Sequence, residues 1–212
     1  EIVFAIDVSK SMLCKDVAPN RLEKTKQIIT QIINSIGSDR IGIVAYAGSA
    51  YPVLPMTTDY ELAKMFTQSV NTDLISSQGT AIESAVQTSV DFFDNPTSGK
   101  AIILFSDGED HESPNFDVSK LTKDKNVKII TVGIGTTNGG NIEFVDEFGF
   151  QQVKKDQNGQ VVITKLNEEV LQKIASESKG TYVYENQISK AVSSIKSALS
   201  NVEQQEFKAQ QL

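Results

Sequence analysis

Apolar residues fall along this chain in two rhythms: short, mostly apolar runs, and longer stretches with a three- or four-residue period. Residues 2–6, 41–47, 101–105 and 127–134 form the first kind and are rich in Ile, Val and Phe. Such runs predict strands buried on both faces. Between them, Leu22, Ile29, Ile32, Ile33 and Ile36 share one helical face. Asn20 is placed to cap that helix, Glu23 to close a capping box and Gly37 to stop it. Asp59 opens a helix over Leu62, Met65, Phe66 and Val70, and residues 51–54 form a short extended stretch before it. A polar loop from Asn71 to Gly79 leads into a helix over 80–93, with Ile82, Ala85, Val86, Val90 and Phe93 as its stripe.

After a helix over 117–125 and the strand over 127–134, the rhythm changes. Residues 150–155 and 160–166 read as extended runs flanking Asp156-Gln157-Asn158-Gly159, a hairpin turn signal. Asn167 then caps a helix reaching Ile174, residues 181–184 form a last strand, and Ile188, Val192, Ile195, Leu199 and Val202 mark a closing helix. The polar stretch from Glu203 to Gln210 is expected to fray or to continue into further sequence. Strand and helix alternate, which predicts an α/β fold: a doubly wound, mostly parallel central sheet with helices on both faces. The expected organisation is a single domain over 1–205, with a hairpin insertion at 141–166 whose two strands lie around 150–166, and a polar tail at 206–212.

Composition narrows the function classes. The 212 residues carry a net charge of −7 with no Lys/Arg run, which argues against a nucleic-acid partner. Cys14 and His111 are each the only residue of their type, so neither an internal disulfide nor a multi-histidine zinc site is available. Metal ligands, if any, are oxygens. No run of about 18 apolar residues is present. The chain starts without methionine one residue ahead of a core strand, which suggests a piece of a longer protein.

The candidate chemistry sits where strands end. Asp7-Val8-Ser9-Lys10-Ser11 puts oxygen-bearing side chains at every second position after the first strand, and Ser106-Asp107-Gly108-Glu109-Asp110 follows the strand over 101–105. Carboxyl ends of strands in open α/β sheets are where such folds bind ligands. Asp7, Ser9 and Ser11 alone are explained as simply by a turn and a cap. An EF-hand is excluded, since Met12 occupies the loop's glycine position and Ala18 its final glutamate position. Gly133-x-Gly135 with Gly139 is a weak dinucleotide motif because a hairpin follows it. Lys10 beside Ser9 and Ser11 is more simply a solvent-facing loop residue than part of a Ser-Lys pair. Glu109, Asp110, His111 and Glu112 read as a solvated acidic rim. Tyr46 and Tyr51 read as packing residues rather than partner anchors.

Taken together, Asp7-x-Ser9-x-Ser11, Gly79-Thr80 and Ser106-Asp107-Gly108 resemble the metal-ion-dependent adhesion site of von Willebrand factor A (VWA) domains, and the match covers nearly the whole chain. The resemblance implies a Rossmann-like VWA fold in which Ser9 and Ser11 give hydroxyl ligands to Mg²⁺, with Mn²⁺ or Ca²⁺ as substitutes. Thr80 and Asp107 would each contact the ion directly or through water, and Asp7 would act mainly through water and by orienting the serines. An acidic residue of a protein partner, Asp or Glu, would complete the shell. Flanking words, among them Asp16-Val17-Ala18-Pro19-Asn20-Arg21-Leu22 and Gln78-Gly79-Thr80-Ala81-Ile82, are similar to the A domain of bacterial aerotolerance (Bat) membrane proteins. That likeness implies a membrane-anchored, periplasmic interaction module rather than an enzyme. The alternative is a Mg²⁺-dependent hydrolase or phosphoryl-transfer enzyme, for which the sequence offers no clear nucleophile or base.

Overall fold

The first strand sets the architecture. In β1 (Ile2–Asp7) every residue is buried, and strand alternation sends Ile2, Phe4 and Ile6 to one face and Val3 and Ala5 to the other. A strand apolar on both faces belongs at the centre of a sheet covered twice. The computed structural model describes residues 1–77, 79–109 and 117–209, with side chains as far as Val202, and places β1 there. It pairs in parallel with β2 (Ile41–Tyr46) on one side and β4 (Ala101–Ser106) on the other. β5 (Lys128–Gly133) and β10 (Thr181–Val183) extend the sheet beyond β4, and β3 (Ala50–Thr57) adds an antiparallel edge beyond β2. The order of the six strands is β10-β5-β4-β1-β2-β3. Pro52 and Pro55 in β3 suit an edge, where a missing N–H breaks no further ladder.

Helices α1 (Arg21–Ile33), α2 (Tyr60–Ser69) and α6 (Ile188–Ala209) supply one apolar layer, in which Ile28, Ile29, Ile32, Ala63, Ile195 and Ala198 meet Phe4 and Ile6. Helices α3 (Ile82–Asp91), α4 (Val118–Thr122) and α5 (Glu168–Glu177) supply the other, in which Val86, Val118 and Leu171 join the cluster of Val3 and Ala5. Each buried Ile, Phe or Leu contributes about 1.5–3 kcal/mol of transfer free energy. The doubly wound, mostly parallel sheet is the predicted one. Because β1 leads through α1 to β2 while β4 lies on its other side, the strand order reverses between β1 and β4. That reversal opens a crevice at their carboxyl ends.

Several boundaries differ from those the pattern predicts. Asn20 caps α1 through its side chain, which accepts from Glu23 N at 2.8 Å, but the helix ends at Ile33 rather than near Gly37. Ile36 still packs on the core from the following turn. Asp59 caps α2 by accepting from Leu62 N at 2.9 Å, yet Met65 faces solvent, 59% exposed, because α2 lies across an edge and buries a narrower stripe. The helix expected from residue 80 begins at Ile82, leaving Thr80 in the loop. α6 runs on to Ala209, so the polar stretch after Val202 continues the helix.

The insertion is more elaborate than one hairpin. Its turn at Asp156–Gly159 is present, with Asp156 N donating to Gln160 O and Val162 N to Lys154 O. However, β8 (Gln151–Val153) also pairs with β7 (Glu143–Val145) around a second turn in which Asp146 Oδ1 accepts from Phe148 N and Phe150 N. A short ribbon of β6 (Gly140–Asn141) and β9 (Ile163–Thr164) joins the insertion to the domain. Val145, Phe148 and Phe150 are exposed on it.

Candidate functional site

β1 ends in Asp7, fully buried, and both of its carboxylate oxygens are engaged. Oδ1 accepts from Ser9 N at 2.9 Å and Oδ2 from Ser106 Oγ at 2.8 Å. Ser106 Oγ in turn accepts from Gly108 N at 2.9 Å. Asp7 therefore fixes the loop after β1 and, through Ser106, the loop after β4. Ser9 keeps an extended backbone and precedes a 3₁₀ turn over Lys10–Leu13. That turn brings Ser11 Oγ within 2.9 Å of Ser9 Oγ, and the wholly buried Met12 anchors it in the core. Lys10, in that turn, leaves the serines and pairs with Asp73 at 2.7 Å.

Thr80 arrives from a third loop. Gly79 adopts φ +119°, and Ala81 N donates to Ala47 O at 2.6 Å, pinning residues 79–81 to the end of β2. β2 lies beside β1 in register, Asp7 opposite Tyr46, with Val8 N donating to Tyr46 O at 2.8 Å. Thr80 is 2% exposed, and its hydroxyl has no hydrogen-bond partner among the described residues. Buried hydroxyls are normally satisfied, so this one marks a place for a ligand.

Asp107, also fully buried, completes the set. Its Oδ1 accepts from Glu109 N at 3.1 Å and its Oδ2 from Arg21 Nη1 at 2.8 Å. Arg21 is 0% exposed and forms a bidentate pair with Asp16, Nε to Oδ1 at 2.9 Å and Nη2 to Oδ2 at 2.8 Å. It also donates to the Thr164 hydroxyl and carbonyl. Burial and the neighbouring Asp107 charge push the Asp7 carboxyl up to about 7, although hydrogen bonds from Ser9 and Ser106 pull the other way. Burial also raises Asp107, opposed by a hydrogen bond from Ser11 and the Arg21 charge. Asp16 moves down, because hydrogen bonds from Arg21 and Thr136 outweigh its burial.

Arg21 is the site residue that motif reading misses, since it stands one position inside a helix cap and belongs to no loop motif. One signal pointed to it: a cation in the first helical turn opposes the helix dipole, so it calls for a strong anionic partner. Ser106 is likewise unassigned by the motif, yet it is the hydroxyl that holds Asp7. The weak glycine motif serves Arg21. Gly135 has φ +121°, and a Cβ there would lie 2.7 Å from Arg21 Nε. Tyr46 is buried, with its hydroxyl donating to Phe105 O at 3.1 Å, whereas Tyr51 is 52% exposed. Asp110, His111 and Glu112 lie outside the described residues.

The donor set fits a hard divalent cation held mainly by hydroxyls. It comprises the paired Ser9 and Ser11, the unpaired Thr80 hydroxyl and two buried carboxylates whose raised proton affinity signals missing positive charge. Among the described residues there is no cluster of three or more His, Cys, Asp or Glu side chains able to hold a metal. Any ion here would therefore lean on hydroxyls rather than on a carboxylate cage.

The fold has counterparts among known proteins. The family model for the von Willebrand factor type A domain matches residues 1–198. A solved structure of BatB from Bacteroides thetaiotaomicron is 35% identical with a TM-score of 0.86, over 95% of this chain and 97% of that one. An aerotolerance-related membrane protein from Bacteroides fragilis is 33% identical with a TM-score of 0.85, over 94% and 98%. A UPF0353 protein of Mycolicibacterium vanbaalenii is 30% identical over 84% of this chain and 53% of its own, so the chain spans about half the length of such curated relatives. The fold, the three converging loops and the family match lead to one conclusion: the chain belongs to the von Willebrand factor type A family.

Proposed function

We propose that this domain is a non-catalytic protein-interaction module that binds one divalent cation, Mg²⁺ by preference, at Ser9, Ser11 and Thr80, with Asp7 and Asp107 acting directly or through water. The observation that carries the reading is the buried Thr80 hydroxyl, which has no partner among the described residues, taken together with the serine pair and two carboxylates of raised proton affinity. Bound here, the ion supplies a Lewis-acidic position that accepts a carboxylate oxygen. Ser106 and Ser9 N hold Asp7, the 3₁₀ turn holds Ser11 beside Ser9, and Gly79 admits Thr80. With three neutral hydroxyls among the ligands, the positive charge is incompletely offset, which favours an Asp or Glu from a partner. A mussel byssal thread matrix protein of the same fold, 15% identical, is described with a zinc-occupied MIDAS motif, which supports a divalent ion here. The likeness to a named membrane protein supports a membrane-anchored full-length protein, and a periplasmic position of this domain belongs to the same proposal. Among the described residues no helix is long and apolar enough to cross a membrane.

Calorimetry with Mg²⁺ and Mn²⁺ tests the metal, and Asp-to-Asn exchange in a captured partner peptide tests the acidic ligand. One ion per domain, lost in Ser9→Ala, is the expected result. No heat at millimolar metal sinks the proposal, and Mg²⁺-dependent phosphatase turnover abolished by Asp7→Asn would favour an enzyme instead.

A further inference from the structure

The Arg21 guanidinium joins four parts of the chain at one buried point. It holds Asp107 Oδ2 at 2.8 Å, both Asp16 oxygens at 2.8–2.9 Å, and in β9 the Thr164 hydroxyl at 2.9 Å and carbonyl at 3.2 Å. Thr164 Oγ1 then donates to Glu109 Oε2 at 2.8 Å, and Glu109 Oε1 accepts from Lys165 N at 2.8 Å. Asp16 Oδ2 also accepts from Thr136 N at 2.8 Å, which ties in the loop after β5. The metal loop after β4 and the root of the insertion therefore share one cation and one carboxylate. Thr164 lies outside the loops that carry the candidate ligands, whereas Glu109 stands two residues past Asp107 in the loop after β4 and donates its N–H to Asp107 Oδ1.

We propose that Arg21 is a positioning residue that couples the metal site to the insertion at residues 140–165, so that loading the ion tightens the insertion's root and engagement of the insertion changes affinity for the ion. The inference rests on the metal reading above. The physical basis is competition for Asp107. One of its oxygens is committed to Arg21, so an ion that draws on Asp107 changes what Arg21 receives in return, and the other acceptors available to Arg21 are Asp16 and Thr164. Asp16 is already bidentate and fixed by Thr136, which leaves Thr164, and through it Glu109 and Lys165 N, as the path along which the adjustment runs. Coupling is reciprocal by linkage, so the same contacts let a partner seated on the insertion shift metal affinity. The exposed Val145, Phe148 and Phe150 of the insertion lie on the strands and turn between the two halves of that root.

The test uses the 212-residue chain with Mn²⁺ as probe, combining calorimetry with amide hydrogen exchange read with and without the ion. In the unsubstituted chain Mn²⁺ is expected to bind and to slow exchange across residues 140–166, none of which is a candidate ligand. Thr164→Val removes the bridge between Arg21 and Glu109 but leaves both Arg21–Asp pairs. It should bind Mn²⁺ within about threefold of the unsubstituted chain while losing most of the metal-dependent slowing in the insertion, since only the Arg21 bond to the Thr164 carbonyl and the Glu109–Lys165 bond remain. Arg21→Lys, which cannot reproduce the fork, should weaken Mn²⁺ by about tenfold or more, a size typical of site-to-site coupling. Should Arg21→Lys fail to fold, the Thr164→Val comparison still decides. Mn²⁺ binding with unchanged exchange over 140–166, or equal slowing in Thr164→Val, overturns the coupling alone. Absence of Mn²⁺ binding in the unsubstituted chain overturns the metal reading and the coupling with it.

Discussion

Arg21 Nη1 donates to Asp107 Oδ2 at 2.8 Å across 86 positions of sequence, and neither side chain has any exposure to solvent. A buried cation held by two carboxylates is costly to assemble and costlier to break, because removing one member strands the others in a low-dielectric interior. Arg21→Ala is therefore expected to destabilise the domain by about 3–5 kcal/mol. Lys64→Ala, which removes an exposed pair with Glu61 on α2, should change stability by no more than about 1 kcal/mol. Urea unfolding of the two variants checks this; equal shifts in midpoint would show that burial of the Arg21 network carries no special weight.

The Thr80 hydroxyl leads to an opposite expectation. Since it has no described partner, Thr80→Val removes an unsatisfied polar group and keeps the shape, so the metal-free domain should be unchanged or up to about 1 kcal/mol more stable. Mn²⁺ affinity should nevertheless fall at least tenfold. Thermal melts with and without Mn²⁺ separate the two effects, and a variant destabilised equally in both conditions would give Thr80 a purely structural role.

The fold was legible because its strongest signals are physical ones. Phe4 and Ile6 alternate with Val3 and Ala5 in a strand apolar on both faces, and only a central strand satisfies that pattern. Asp7, Ser9, Ser11, Thr80 and Asp107, proposed above for the ion, stand out in the sequence because each lies at or just past the end of such a strand or just ahead of a helix. What escaped was set by tertiary contact. The Asp146 turn and the pairing of β7 with β8 leave only weak alternation in Glu143–Val145, and exposed strands need no apolar period. Met65 follows helical spacing yet faces solvent, since spacing fixes a face without saying how wide a stripe the neighbours cover. Ser106 acts on Asp7 from 99 positions away, and Arg21, though paired locally with Asp16, reaches Asp107 across 86 positions, distances that no local pattern encodes.

Gly135 shows how close that packing is. It adopts φ +121°, and a Cβ there would come within 2.7 Å of Arg21 Nε and 2.9 Å of its Cζ. Gly135→Ala should cost about 1–3 kcal/mol from backbone strain alone, and displacement of the guanidinium should add to it. Chemical unfolding gives the number. A loss below about 0.5 kcal/mol would mean that the loop after β5 relaxes freely and does not hold Arg21.

Asp7 gives the domain a pH dependence whose sign differs from that of an ordinary paired carboxylate. Burial and the Asp107 charge raise its carboxyl from 3.8 to about 7. Between those values the folded chain binds the proton that the unfolded chain has released, so stability falls as pH rises, by up to about 1.4 kcal/mol for each unit. Its contribution is complete below about pH 4, is lost progressively toward pH 7 and is constant above it. Without metal, unfolding free energy corrected with Asp7→Asn should show this decline. A divalent ion reverses the balance by favouring the ionised form, so metal affinity should rise with pH up to about 7, and binding at pH 6 should release close to one proton. Calorimetry at pH 6 in two buffers of different ionisation enthalpy measures that proton directly. Identical heats in both buffers would mean that Asp7 is already ionised in the metal-free domain, and its charge would then have to be offset by the hydrogen bonds from Ser9 and Ser106 alone.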